Sequence, residues 1–113
     1  LYTAHAAPMQ MVFYSGSQFP AEFRGDAFIA MRGSWNRKPP SGYEVVRVRF
    51  QNGKPAAFEP FLTGFLTGGG ESWTQFGRPV GIAVARDGAL LVSDDTNGCI
   101  YRISAEAANT SDR

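Results

Sequence analysis

Residues 79–103 read PVGIAVARDGALLVSDDTNGCIYRI, and this stretch decides the fold class. Three short apolar runs, at 79–85, 89–93 and 99–103, are separated by RDG and by DDTNG. Alternating runs of this length, bounded by Gly, Asp and Asn, read as β-strands joined by tight turns. Val80, Ile82 and Val84 fall on one face of the first run, as the two-residue period of a strand requires.

The same grammar continues toward the N-terminus. Residues 9–14 (MQMVFY) alternate, with Met9, Met11 and Phe13 on one face. Residues 27–31 (AFIAM), 43–50 (YEVVRVRF) and 57–62 follow as strands. In the third, Val46 and Val48 face one way and Arg47 and Arg49 the other. Asn52-Gly53 between the third and fourth runs is a strong hairpin signal. Residues 15–26, 32–42 and the glycine-rich 63–78 read as loops, and no long amphipathic helix appears. The pattern then restarts: APMQMVFYSG at 7–16 parallels RPVGIAVARDG at 78–88, and GDAFIAM at 25–31 parallels DGALLVS at 87–93. Repeated four-stranded antiparallel units of roughly 40–50 residues are the sequence signature of a β-propeller. The expected architecture is all-β, in antiparallel meanders of four strands plus three strands. The first blade spans about 8–63, the incomplete last blade about 78–104, and a polar tail 105–113. Two blades close no ring, so the chain reads as the C-terminal fragment of a propeller. The alternative on pattern alone is a free-standing seven-stranded sandwich or barrel.

The totals narrow the function classes. The chain has 113 residues, 43% hydrophobic and 19% charged, with a net charge of +1. That balance argues against nucleic-acid binding, which shows a basic excess, and against a disordered tail. No apolar run approaches the length of a membrane span. Cys99 is the one cysteine, which excludes an intrachain disulfide and makes core packing its default role. The opening LYTAHAAP has neither a basic segment nor an apolar one, so no signal peptide is expected there.

Alternate loops of a meander lie at opposite ends. One end therefore collects residues 2–7, 32–42, 67–78 and 94–98. The other collects 15–26, 51–56 and 86–88. The first end gathers His5, Arg32, Trp35, Asn36, Arg37, Lys38, Trp73, Arg78, Asp94 and Asp95. Binding groups concentrate in loops at one end of a rigid scaffold, so this end is the candidate site.

At these residues the chain resembles the C-terminal part of the glucose/sorbosone dehydrogenase family. The stretches that carry the likeness are HAAPMQMVFYSGSQFPAEFRGDAFIAMRGSWNR at 5–37, PPSGYEVVRVRF at 39–50 and FGRPVGIAVARDGALLVSDDTNGCIYRI at 76–103. It covers about residues 4–103 and is closest to the sorbosone dehydrogenase-like branch. The resemblance implies a six-bladed propeller and a pyrroloquinoline quinone (PQQ)-dependent oxidoreductase, often periplasmic or secreted. It implies oxidation of a sugar or sugar aldehyde, with electrons passed to a dye, quinone or cytochrome. It implies calcium beside the cofactor, with its ligands mostly outside this segment. The family's general base is a histidine from an earlier blade, so no catalytic residue is expected in this segment and the fragment alone is expected to be inactive.

PQQ is a flat tricycle with three carboxylates and an ortho-quinone. Planar guanidinium forks match carboxylates, an ammonium suits a quinone oxygen, and an aromatic face suits the ring. The cofactor-binding candidates are therefore Arg37, Arg78, Arg32, Trp35, Asn36 and Lys38. Each has a structural alternative. Arg37 and Arg78 can pair with Asp94 or Asp95, Trp35 can pack within a blade, Asn36 can cap a turn and Lys38 can be solvated. His5 and Asp94 are candidates for the substrate region or for orienting other groups. For His5 the alternative is a loop-orienting hydrogen bond, and for Asp94 it is local turn bonding. Glu71 is a candidate rim residue for sugar hydroxyls. TGGGESW lacks the spacing of a phosphate loop. No metal-ligand cluster is legible in this stretch. A non-catalytic propeller, serving as a scaffold or carbohydrate-binding module, is the competing function.

Overall fold

A computed structural model describes residues 2–34, 37–70 and 72–106. The candidates Trp35, Asn36 and Glu71 and the end of the tail lie outside the described residues. The described chain is all-β, with antiparallel sheets and a single short 3₁₀ turn at Ala21–Phe23.

Four strands, β1 (Pro8–Phe13), β2 (Ala27–Met31), β3 (Glu44–Gln51) and β4 (Lys54–Leu62), form one sheet in chain order. The hairpin between β3 and β4 turns at Asn52-Gly53 as the sequence reads, and both residues take positive φ, 54° and 77°. That pair of left-handed residues makes the two-residue turn whose twist matches a hairpin, and it extends pairing back to Gln51 and Lys54. At the other end β3 starts at Glu44, since Tyr43 has φ 58° and leaves the extended region.

Residues 66–75 depart from expectation. They form a hairpin, β5 (Leu66–Gly69) and β6 (Ser72–Gln75), where the sequence reads as loop. Gly68 sits opposite Trp73 with φ 104°, and a Cβ there would stand 2.2 Å from the Ser72 carbonyl oxygen. The glycine that suggests a loop is what lets the two backbones approach. A three-stranded sheet completes the chain: β7 (Pro79–Val84), β8 (Leu90–Asp94) and β9 (Cys99–Ile103).

The first and last sheets pack together where β1 and β2 meet β7. Tyr14, Phe19, Phe28, Ala30, Val45, Ile82, Leu90 and Val92 form one buried cluster across that boundary. Fully burying side chains of this size stabilises by about 1.5–3 kcal/mol each, so the boundary is a core and not a contact between separate bodies. Polar ties pin it. The Tyr14 hydroxyl donates to the Gly88 carbonyl (2.7 Å), and Gln10 Oε1 accepts from the Ile82 N–H (2.9 Å).

Two side-chain placements refine the strand patterns. Met9, Met11 and Phe13 do share a face of β1, but that face is exposed; Val12 packs against the core cluster, while Gln10, itself exposed, reaches the Ile82 N–H of β7. Arg47 lies opposite Val46 and Val48 as expected, yet it is buried. It ion-pairs with Asp26 (2.7 Å) and stacks 3.8 Å over the Phe23 ring. Cys99 is half-buried and makes no disulfide.

Candidate functional site

The loops assigned to one end do meet. Ala7 and Ala6 carbonyls accept from the backbone N–H groups of Arg32 (2.9 Å) and Gly33 (2.8 Å). The Ser41 hydroxyl donates to the Ala4 carbonyl (2.8 Å). Ser34 and Ser41 close the base of the 32–42 loop: Ser34 N–H donates to the Ser41 carbonyl (2.9 Å), and Ser41 N–H to the Ser34 hydroxyl (3.0 Å). Tyr43 locks the same base by donating its hydroxyl to the Ser34 carbonyl. Gly33 is obligatory here, with φ 118° and its missing Cβ only 2.5 Å from the Tyr43 ring. His5, Ala7 and Tyr43 carry positive φ at this end, strain that the hydrogen bonds hold in place. These bonds fix the loop base; farther along the loop Arg37 Nη1 donates to the Pro39 carbonyl (2.7 Å), and Lys38 is exposed.

Above this base lies a cavity of about 360 Å³ lined by Arg32, Arg37, Tyr43, Trp73, Gln75 and Arg78. An adjoining cleft of about 680 Å³ is lined by Arg37, Lys38, Gly70 and Trp73 with Pro39 and Pro40. These volumes fall in the range of small-molecule sites. Four of the sequence candidates, Arg32, Arg37, Lys38 and Arg78, are thus brought together. His5 is exposed at the same end but lines neither space.

Asp94 takes its structural alternative. Only 2% exposed, it accepts from the backbone N–H groups of Arg78 (3.0 Å) and Thr96 (2.9 Å), from Asn97 Nδ2 (2.8 Å) and from the Tyr101 hydroxyl (2.7 Å). It faces no open space and meets Arg78 through its backbone, not through its guanidinium. Burial works against its charge, but the bonds from Arg78, Tyr101, Asn97 and Thr96 outweigh this and hold its carboxyl well below the usual range. Asp95, on the outer side of the same turn, engages both Arg32 and Arg78. The hydrogen bond from Arg32, opposed by partial burial and helped by Arg78, keeps its carboxyl ionised at lower pH than usual.

Trp73 and Tyr43 also line the cavity; the sequence reading gathers Trp73 at this end without making it a cofactor-binding candidate, and does not single out Tyr43. Trp73 was placed at this end only as part of a loop; the hairpin fixes it, with Nε1 donating to the Gly70 carbonyl (3.0 Å). An aromatic three residues past the glycine run 68–70, at a basic end, was the available signal.

The described chain is an all-β scaffold that brings guanidinium groups and aromatic rings together around one cavity. A family model described as TrAA12-like matches residues 1–106, and the chain belongs to that family. It is 33% identical over 121 residues to a pyrroloquinoline quinone-dependent pyranose dehydrogenase of Coprinopsis cinerea, covering 91% of this chain and 16% of that one. An uncharacterized protein of Borreliella burgdorferi is 40% identical over 105 residues, with 91% of this chain and 27% of the relative covered. Among solved structures, the holo PQQ domain of the Coprinopsis cinerea pyranose dehydrogenase superposes with TM-score 0.59 at 31% identity, over 89% of this chain and 27% of that one. A Trichoderma reesei structure of carbohydrate-active enzyme family AA12 gives TM-score 0.57 at 25% identity, over 86% and 24%. The chain spans about a quarter or less of the length of these relatives.

Proposed function

We propose that this chain forms part of a PQQ-dependent oxidoreductase that oxidises a sugar or sugar aldehyde of the aldose or sorbosone kind. Electrons then pass to an external acceptor, a quinone or cytochrome. The observation that carries this is the convergence of Arg32, Arg37 and Arg78 on one cavity beside Trp73 and Tyr43, in a chain of the TrAA12-like family.

The donor set fits the cofactor's chemistry. Arg37 and Arg78 would grip carboxylates, with Arg32 beside Arg78. Lys38, in the adjoining cleft, offers an ammonium to a quinone oxygen. Trp73 offers a flat apolar face that a tricycle can cover. Bound PQQ supplies the two-electron acceptor; this chain's residues bind and orient it. The fixed loop base keeps Arg37 and Lys38 within reach of the cavity. The general base is placed outside this segment. The calcium ligands are likewise assigned to other parts of the parent protein.

In the same proposal the two large sheets are adjacent blades of a six-bladed propeller, with the remaining blades of the parent protein covering faces such as that of Met9, Met11 and Phe13. The compartment assigned is the periplasm or the exterior of the cell.

The test is direct titration of full-length apoprotein with PQQ, followed by tryptophan fluorescence. Arg37→Ala is expected to weaken binding by about 1.5–3 kcal/mol, the worth of a charge-assisted hydrogen bond. Unchanged affinity would remove Arg37 from the site.

A further inference from the structure

Asp95 sits between two of the three cavity arginines. Its Oδ2 accepts from Arg32 Nε at 2.9 Å and its Oδ1 from Arg78 Nε at 2.8 Å. The two arginines belong to different sheets: Arg32 follows β2 and Arg78 precedes β7. One carboxylate therefore spends an oxygen on each and ties the two loops across the boundary. Both contacts use the Nε edge. Among the described residues, the Nη atoms of Arg32 and Arg78 make no hydrogen bond, and both side chains line the cavity at 31% and 32% exposure. Asp95 is itself held firmly. Its N–H donates to the Arg78 carbonyl (3.2 Å), and the turn that carries it is organised by buried Asp94.

Like charges on Arg32 and Arg78 would repel each other and swing apart in solvent. Asp95 opposes that at the cost of one positive charge: three arginines less one carboxylate leave a local balance of two. We propose that Asp95 is a positioning residue for an anionic ligand of this cavity, holding Arg32 and Arg78 by Nε so that their Nη edges present donors to ligand carboxylates. The identity of the ligand as PQQ rests on the function proposed above.

The two physical roles open to Asp95 predict opposite signs. As a mere counter-charge it opposes anion binding, and Asp95→Asn would tighten it. As a positioning residue it strengthens binding, and Asp95→Asn weakens it. Asparagine keeps one acceptor oxygen, but its NH₂ faces a guanidinium, so one arginine is released.

The experiment titrates PQQ, and separately the simple aromatic anion trimellitate, into full-length apoprotein. The variants are wild type, Asp95→Asn, Asp95→Glu, Arg32→Ala/Arg78→Ala and that double variant with Asp95→Asn. Asp95→Asn is expected to raise the PQQ dissociation constant about tenfold, the loss of one charge-assisted contact. Asp95→Glu, with both oxygens retained, recovers affinity relative to Asp95→Asn. In the background lacking both arginines, Asp95→Asn adds nothing further. Equal or tighter binding by Asp95→Asn overturns the proposal, and so does an undiminished loss in that background, which would mark simple structural damage. If the wild type binds trimellitate but not PQQ, the cofactor assignment falls while the trimellitate series still decides the role of Asp95. Binding of neither overturns both.

Discussion

Asp94→Ala removes the node on which the last turn is built, and its cost can be worked from the contacts. The carboxylate accepts from the Arg78, Thr96 and Asn97 backbone N–H groups, from Asn97 Nδ2 and from the Tyr101 hydroxyl. A hydrogen bond to a charged group contributes about 1.5–3 kcal/mol, and counting all five at that rate would rival the whole stability of a typical domain. Thr96 and Asn97, however, lie in an exposed turn, where water replaces the lost acceptor. The Arg78 N–H and the Tyr101 hydroxyl, packed under the turn, have less recourse. Two bonds' worth, about 3–6 kcal/mol, is the expected loss. Urea unfolding of the full-length protein, followed by fluorescence, measures it. Because Asp94 also fixes the Arg78 backbone and the turn that carries Asp95, PQQ affinity should fall in the same variant. A loss below about 1 kcal/mol would refute the hydrogen-bond node as the organiser of this turn.

Gly77→Ala attacks the same node from the other side: its Cβ would stand 2.3 Å from Asp94 Oδ2, whose many bonds prevent retreat. We expect about 1–3 kcal/mol of destabilisation, read from the same unfolding curves. Acid should act through these carboxylates. Asp94, Asp95 and exposed Asp87, the last lowered to about 2 by its hydrogen bond from Arg102, all have folded values below their unfolded ones. Their stabilisation is therefore complete above the unfolded value of about 4 and is lost as pH falls from there toward the folded values. Urea midpoints measured across that window should drop with acid, and less steeply in Asp94→Asn.

The four-plus-three strand order and the end at which the loops gather are legible because short alternating runs with Asn-Gly, Asp-Gly and Gly-rich punctuation leave few other foldings. What escaped was set by tertiary contact. Residues 66–75 read as loop because Gly68 and Gly69 lack strand propensity; the close approach of the Ser72 carbonyl gives Gly68 its place in a hairpin. The outward face of Met9, Met11 and Phe13 was not deducible either. It depends on Gln10 supplying the acceptor that the Ile82 N–H needs, a contact 72 residues apart. Within the site, residue types named the basic cluster, since guanidinium groups near aromatics in one loop set are visible in the chain. Their division of labour was not visible. Asp94 and Asp95 are neighbours in sequence, yet one is buried under the turn and the other bridges two arginines at its surface. Only the backbone path of residues 94–98 separates them.

The most direct test of the account is sugar-dependent dye reduction by the full-length protein, stripped of cofactor and then supplied with PQQ and calcium, across aldoses and sorbosone. We predict activity that appears only with PQQ, and that requires more PQQ for half-maximal rate in Arg37→Ala and Arg78→Ala. Absence of both PQQ binding and PQQ-dependent activity in the wild type would contradict the account and leave the arginine cluster as loop architecture.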